Sequence, residues 1–359
     1  MQSFRVELKP RSHPVYVGYG LLEQIGELAR AEGLSGRAAV VTDSNVGPRY
    51  LTRALRALSP LDRVPLVIQV EAGERSKSLD TLARVHDRLL EARFDRHSMI
   101  VALGGGVIGD LAGFAAATFL RGVALIQVPT SFLAQVDSCL GGKTGINHPL
   151  GKNLIGAFYQ PRLITADIAL LESLPEREFR EGLAEVVKYA AIMDEAMFAQ
   201  LEQDQAAILR REPTVLEYSV AKCLRHKAAV VEGDEHEDGL RALLNFGHTV
   251  GHALEAAAGY GGLLHGEAVA IGMVAEAQLS QALAGLEAGE VARLQRWLRG
   301  AGLPTEMPAD WKSEKFLDAL ALDKKREAGQ VRLVLLRKIG QGVTLSIAPQ
   351  QLLRHLANP

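Results

Sequence analysis

Between Arg37 and about Leu171, short apolar runs rich in β-branched residues alternate with glycine turns and amphipathic stretches. This is the pattern of βα units around a parallel sheet. The predicted strands are Ala38–Thr42, Pro65–Val70, Met99–Leu103, Ala124–Val128 and Leu163–Ala166. Leu79–Ala92 repeats apolar residues at three and four, the spacing of a helix packed on that sheet.

After Leu174–Pro175 the pattern changes. Ala, Leu, Glu and Arg dominate, and Glu181–Leu201, Thr214–Val231 and Glu267–Leu283 keep a helical period. Ser173–Leu174–Pro175–Glu176 pairs a capping residue with a proline suited to a first helical turn, which puts the boundary there. The predicted architecture is an α/β Rossmann-like domain with a parallel sheet over 1–174 and a mostly α-helical domain over 175–359. A cleft between two such halves is the default site. Gly329–Gly340 is expected to add a short strand pair.

Composition narrows the class. With 359 residues, 48% hydrophobic and 23% charged, the chain has apolar material for two cores. A net charge of −2 leaves no general footprint for nucleic acid or an anionic membrane, so only local basic clusters matter. Cys139 and Cys223 are too few for a disulfide framework and point to a reducing cytoplasm. No signal-peptide pattern opens the chain, and no run of roughly 18 apolar residues suggests a membrane span.

Met99–Leu103 runs into Gly104–Gly105–Gly106–Val107–Ile108–Gly109–Asp110 and then into the apolar Leu111–Phe119. Glycines 104, 106 and 109 satisfy G-x-G-x-x-G, which lets backbone N–H groups approach a pyrophosphate at a helix N-terminus. The turn follows about the third strand, and no acidic residue stands roughly 20 positions on, as the usual dinucleotide fingerprint would have it. Asp43, at the end of Ala38–Thr42, is the alternative ribose partner. Gly142–Lys143–Thr144 resembles the end of a P-loop, but Asp137 stands where its first glycine belongs, so Lys143 is expected to act as a point charge.

Glu185, His248, His252 and His265 lie in polar islands of the helical half. His248 and His252 are four apart on one helix face, so either or both qualify as ligands. A glutamate with two histidines leaves the open position a catalytic zinc-type site needs. Asn245, Gly247, Gly251 and Gly266 are poor helix-interior choices and mark functional backbone. No H-E-x-x-H is present, which argues against a common metalloprotease. Lys143, Lys152, Asn153, Lys188, Lys227, Arg241 and Asn245 add cationic and amide donors suited to an anionic substrate.

Together with Pro129–Ser138, Gly141–Asn153, Gly182–Lys188, Leu244–Glu255, His265–Met273 and Asp323–Lys325, these residues resemble the 3-dehydroquinate synthase family over nearly the whole chain. The resemblance implies Zn²⁺ or Co²⁺ on Glu185, His248 and His265, with His252 on substrate phosphate. It implies NAD⁺ among Asp43, Glu74, Lys77, the 105–110 turn, Thr130 and Ser131, with Asp137, Lys143 and Lys152 where nucleotide and substrate meet. Lys188 and Asp137 are then expected to steer hydroxyls. Asn153, Asn245 and one of Lys324 and Lys325 are expected on phosphate, and Lys227 and Arg241 on a carboxylate.

The implied reaction converts 3-deoxy-D-arabino-heptulosonate 7-phosphate to 3-dehydroquinate and phosphate in aromatic amino acid biosynthesis, with NAD⁺ regenerated in each turnover. Arg121 would reach a second subunit's phosphate, implying a homodimer. Ser131, Cys139 and His236 depart mildly from the family pattern. The competing readings are a metal-dependent glycerol or alcohol dehydrogenase, a different sugar phosphate cyclase and a non-catalytic nucleotide sensor. The cationic cluster weighs against an uncharged polyol.

Overall fold

Alternation of side chains along the strands divides the first core into two layers. In the computed structural model, Ala39, Val41, Ile100 and Ala102 join one buried cluster, while Ala38, Val40, Met99, Val101 and Leu103 join another. The structure describes all residues except 237–238, 260–261, 310, 312–313, 325–329 and 358–359, and the side chains of 321–324 are likewise outside it.

The strands are β1 (Gln2–Val6), β2 (His13–Gly18), β3 (Ala38–Asp43), β4 (Leu66–Val70), β5 (Met99–Gly104), β6 (Ala124–Pro129), β7 (Lys143–His148), β8 (Gly151–Phe158) and β9 (Leu163–Asp167). Seven form one sheet in the order β1-β2-β9-β6-β5-β3-β4, parallel throughout except for the antiparallel β1/β2 pair. The remaining two, β7 and β8, pair as a separate antiparallel hairpin. The helices of this part are α1 (Ile25–Ala31), α2 (Gly47–Leu58), α3 (Leu79–Glu91) and α4 (Gly106–Thr118).

All five predicted parallel strands are present. β1, β2 and the β7/β8 hairpin are additions. β8 is largely exposed, so no alternation toward a core marked it. After β4 the chain returns to the other side of β3 to lay down β5, which makes the C-terminal ends of β3 and β5 a topological switch point.

Next come α5 (Glu176–Met193), α6 (Glu195–Leu209), α7 (Pro213–Gly233), α8 (His248–Ala258), α9 (His265–Ala284), α10 (Ala288–Gly300), α11 (Glu314–Lys324) and α12 (Pro349–Ala357). The antiparallel pair β10 (Val331–Lys338) and β11 (Gln341–Ile347) lies between α11 and α12. Its turn is at Gly340 (φ 86°), so the second strand lies beyond the predicted Gly329–Gly340. The helix expected over Glu181–Leu201 is two helices, because the Asp194 side chain accepts from Met197 N at 2.8 Å and starts α6.

The chain forms two compact units: Met1–Leu174 with Leu216–Glu232, and Pro175–Val215 with Gly233–Pro359. The predicted division at 174/175 differs at Leu216–Glu232, most of α7, which packs with the first unit. The core of the second unit joins Val250, Leu254, Ala268 and Ile271 with Phe316, Leu333, Leu335 and Leu352.

Candidate functional site

Glycines out of place in a helical pattern are what bring α5, α8 and α9 together. A Cβ on Gly266 would lie 2.1 Å from Glu181 O, so only glycine lets the start of α9 meet α5. Gly247, left-handed at φ 79°, precedes α8, and a Cβ there would meet Met273 Cγ at 2.5 Å. These close approaches set the second and third potential ligands beside the first.

Glu185 is fully buried on α5, and its Oε1 lies 3.5 Å from Nε2 of both His248 and His265. One ligand atom from each of the three falls within 4.8 Å of the others. His248 Nδ1 lies 3.1 Å from Phe246 O, so it carries a proton toward that carbonyl and turns the Nε2 lone pair inward. His265 Nδ1 lies 3.0 Å from Glu255 Oε2, so its outer nitrogen is also held while Nε2 faces Glu185. Two imidazole nitrogens and a carboxylate form the donor set of a catalytic zinc-type centre, and these residues fit such an ion, which on binding displaces the inner proton of His265.

The electrostatics separate the two rings. Burial and the nearby Lys188 ammonium push His248 down to about 3. Burial also opposes charge on His265, but its hydrogen bonds to the Glu185 and Glu255 carboxylates outweigh it and push its pKa up to about 10. Lys188, one turn along α5 and also buried, is ion-paired with Glu185 Oε2.

His252 is exposed on α8 and falls into a different group, with Glu255 and His265. The geometry therefore joins His248, not the whole i,i+4 pair, to Glu185. Arg241 is buried, its backbone N–H donating to Asp234 Oδ2 at 2.9 Å and its guanidinium to Glu235 O at 2.8 Å. Asn245 ends the short 3₁₀ turn Leu240–Asn245 just before the His248 segment. Lys325 lies outside the described residues, as does the side chain of Lys324.

In the first unit, α4 starts at the predicted glycine turn, with Gly105 at its cap position and no side-chain cap. Its N–H groups and dipole face the switch point, an arrangement suited to an anion. Gly106, Val107 and Gly109 lie in its first turns, but Ile108 is in the core, so only its backbone is available to a nucleotide. Thr130 N donates to Gly104 O at 3.0 Å, and Ser131 stands beside Gly105. Asp43 Oδ1 accepts from Asn45 N and Val46 N at 2.8 and 2.9 Å and shapes the turn into α2.

Lys77 is buried and donates to Asp110 Oδ2 at 2.7 Å and to Asn153 Oδ1. Burial raises the Asp110 pKa against the pull of that ammonium. Asn147 completes the network: its Nδ2 donates to Glu74 Oε1 at 2.7 Å, and its Oδ1 accepts from Asn153 N at 3.0 Å. Asn153 itself is left-handed (φ 57°). Asp137 lies on a π-helical turn, Ala134–Ser138, a form frequent at functional sites. Lys227 donates to Asp137 O at 2.7 Å and pairs with its Oδ1 at 3.1 Å. Lys143 and Lys152 are on β7 and β8, both exposed, and Arg121 is exposed at a left-handed kink (φ 68°).

Glu255, Asn147 and Glu276 are absent from the predicted set. Glu255 was legible as a carboxylate three positions after His252. Glu276 was legible as a lone charge in an apolar helical run. Asn147 had no signal beyond its place in the Gly141–Asn153 segment.

Residues 67–181 match the family model described as 3-dehydroquinate synthase N-terminal, and residues 182–326 match 3-dehydroquinate synthase C-terminal. A 3-dehydroquinate synthase from Acidithiobacillus ferrooxidans is 51% identical over 349 residues, covering 97% of this chain and 95% of that one. Among solved structures, 2-deoxy-scyllo-inosose synthase complexed with carbaglucose-6-phosphate, NAD⁺ and Co²⁺ is similar, with TM-score 0.88, 28% identity and 99% coverage of both chains. So is 2-epi-5-epi-valiolone synthase from Streptomyces hygroscopicus subsp. jinggangensis with NAD⁺ and Zn²⁺ bound, with TM-score 0.87, 29% identity and coverage of 98% of this chain and 97% of that one.

Proposed function

The chain belongs to the 3-dehydroquinate synthase family, and on that premise we propose that it converts 3-deoxy-D-arabino-heptulosonate 7-phosphate to 3-dehydroquinate with release of phosphate. NAD⁺ and a Zn²⁺- or Co²⁺-type ion, the groups bound in the two solved relatives, supply reversible hydride removal and Lewis-acid activation when bound. The observation that carries the reading is the convergence of Glu185, His248 and His265 on one point, with the outer nitrogens of both rings already committed.

The chain's own residues have distinct tasks. Glu185, His248 and His265 hold the ion. Lys188, paired with Glu185, steers the substrate hydroxyls and stabilises oxygen that has lost a proton. Asp137 steers a hydroxyl and is itself ordered by Lys227, so Arg241 is the main grip on the substrate carboxylate, its fork matching two oxygens. His252, Asn153, Asn245 and Lys325 take the phosphate. The α4 N-terminus, Asp43, Glu74, Thr130 and Ser131 orient the nucleotide, while Lys77 and Asp110 hold the turn that receives it.

Sugar-phosphate cyclase chemistry at this site is tested by supplying the heptulosonate phosphate, the metal ion and catalytic NAD⁺. Phosphate release far exceeding the NAD⁺ present, with no accumulating NADH, is the expected result. Net NADH formation from a simple polyol, without phosphate release, would replace this reading with a dehydrogenase.

A homodimer accompanies this function, with Arg121 serving the partner's phosphate. Its exposed position at a backbone kink supports that role. A monomer by sedimentation with full activity would remove the homodimer. A cytoplasmic setting is supported by two buried free thiols, and among the described residues no helix is long and apolar enough to cross a membrane.

A further inference from the structure

Glu276 lies three turns along α9 from His265 and is completely buried. Both of its carboxyl oxygens accept from backbone N–H groups. Oε2 accepts from Gly247 N at 2.7 Å, and Oε1 accepts from Val250 N at 3.3 Å. These are N–H groups at the start of α8, where the cap position is a glycine and no cap side chain is present. A helix start leaves its first four N–H groups without intrahelical partners, and an acceptor there is stabilising. Glu276 therefore caps α8 from another helix.

The capped segment contains the metal-ligand geometry. Gly247 stands between Phe246, whose carbonyl orients His248 Nδ1, and His248, the first residue of α8. A shift of the Gly247 peptide moves that carbonyl and the histidine Cα together. Gly247 is also left-handed, and its carbonyl would lie 1.9 Å from a Cβ on Gly272, so the two helices leave little room for another arrangement.

We propose that Glu276 is a positioning residue for the metal centre, holding the first turn of α8 so that His248 Nε2 faces Glu185. This rests on the reading of Glu185, His248 and His265 as metal ligands. Groups that orient a metal-binding histidine typically change metal affinity about 10- to 100-fold when removed.

Metal affinity is measured on the full-length protein by Zn²⁺ competition with a chromophoric chelator, with near-ultraviolet circular dichroism reporting the fold. Glu276→Ala is expected to weaken Zn²⁺ binding by about 10-fold or more. Glu276→Gln, which keeps one acceptor oxygen, is expected to fall between it and the unsubstituted protein, and it stands in if the alanine variant does not fold.

Ser280→Ala is the packing control. Ser280 Oγ donates to Glu276 O at 2.6 Å and accepts from Leu336 N at 2.9 Å, away from α8, and its loss is expected to leave Zn²⁺ affinity within about twofold, below the shift of an orienting group. Folded Glu276 variants with unchanged Zn²⁺ affinity, or an equal loss in Ser280→Ala, would overturn the proposal. His248→Ala separates the two levels: if it too leaves affinity unchanged, the metal-ligand reading fails first.

Discussion

The Nδ1 atom of His265 lies 3.0 Å from Oε2 of Glu255, one turn past His252 on α8. The pair makes Glu255 the partner that fixes the ring's orientation and leaves Nε2 for a cation. Glu255→Ala is expected to lower metal affinity about 10- to 100-fold while the protein stays folded. Equilibrium dialysis against buffered free Zn²⁺ checks this, and unchanged loading would mean the contact is incidental.

Arg241 is the clearest test of substrate recognition. On the proposed carboxylate role, Arg241→Ala is expected to raise KM about 10- to 100-fold with a smaller change in kcat. Arg241→Lys keeps the charge but not the fork and is expected to recover only part of the loss. Metal content by elemental analysis should not change. If Arg241→Ala lost the metal while KM stayed the same, the carboxylate assignment would be wrong.

Lys77 and Asp110 form a mostly buried ion pair at 2.7 Å, and Lys77 also reaches Asn153 on the β8 strand. Removing only the cation leaves a carboxyl whose burial already disfavours its charge. Lys77→Met is expected to destabilise the protein by on the order of 3 kcal/mol. Lys77→Met with Asp110→Asn should recover part of that in a urea-unfolding cycle. Strict additivity of the two substitutions would show that the pair is not coupled.

Burial pushes Glu276 up to about 8 from an ordinary 4.5. The folded protein therefore keeps a proton that the unfolded chain releases. Its contribution is fully present below pH 4.5, declines as pH rises and is lost as pH passes through about 8. Urea midpoints between pH 5 and 8 should fall less steeply for Glu276→Gln than for the unsubstituted protein. Parallel pH profiles would show that the carboxyl is not the source.

Much of this molecule was legible before any coordinates. The parallel strands announced themselves because strands covered on both faces need near-continuous apolar runs, and Ala38–Thr42 and Met99–Leu103 are such runs. The glycine turn at 104–109 was legible because its spacing serves both the strand-to-helix bend and anion approach. Residue chemistry marked Glu185, His248 and His265, since carboxylates and imidazoles are conspicuous in apolar helices.

Elsewhere the local signal failed for identifiable reasons. The exposed β8 strand had no core face to create a period, and Asp194 interrupted a helical pattern through a side-chain cap rather than a glycine or proline. Spacing could not choose between His248 and His252 because residues four apart share a helix face. That choice depended on how closely α8 and α9 pack, which Gly247 and Gly272 permit.

Residue types and periodicities along the chain thus determined the elements, the nucleotide-type turn and the ligand chemistry available. Only the folded arrangement decided that Leu216–Glu232 joins the first unit, that Glu255 and Phe246 O hold the outer ring nitrogens, and that Glu276 caps α8. The reason is physical: propensity and pattern act over neighbouring residues, whereas these relationships depend on helix-to-helix distances set by the packing of side chains remote in sequence.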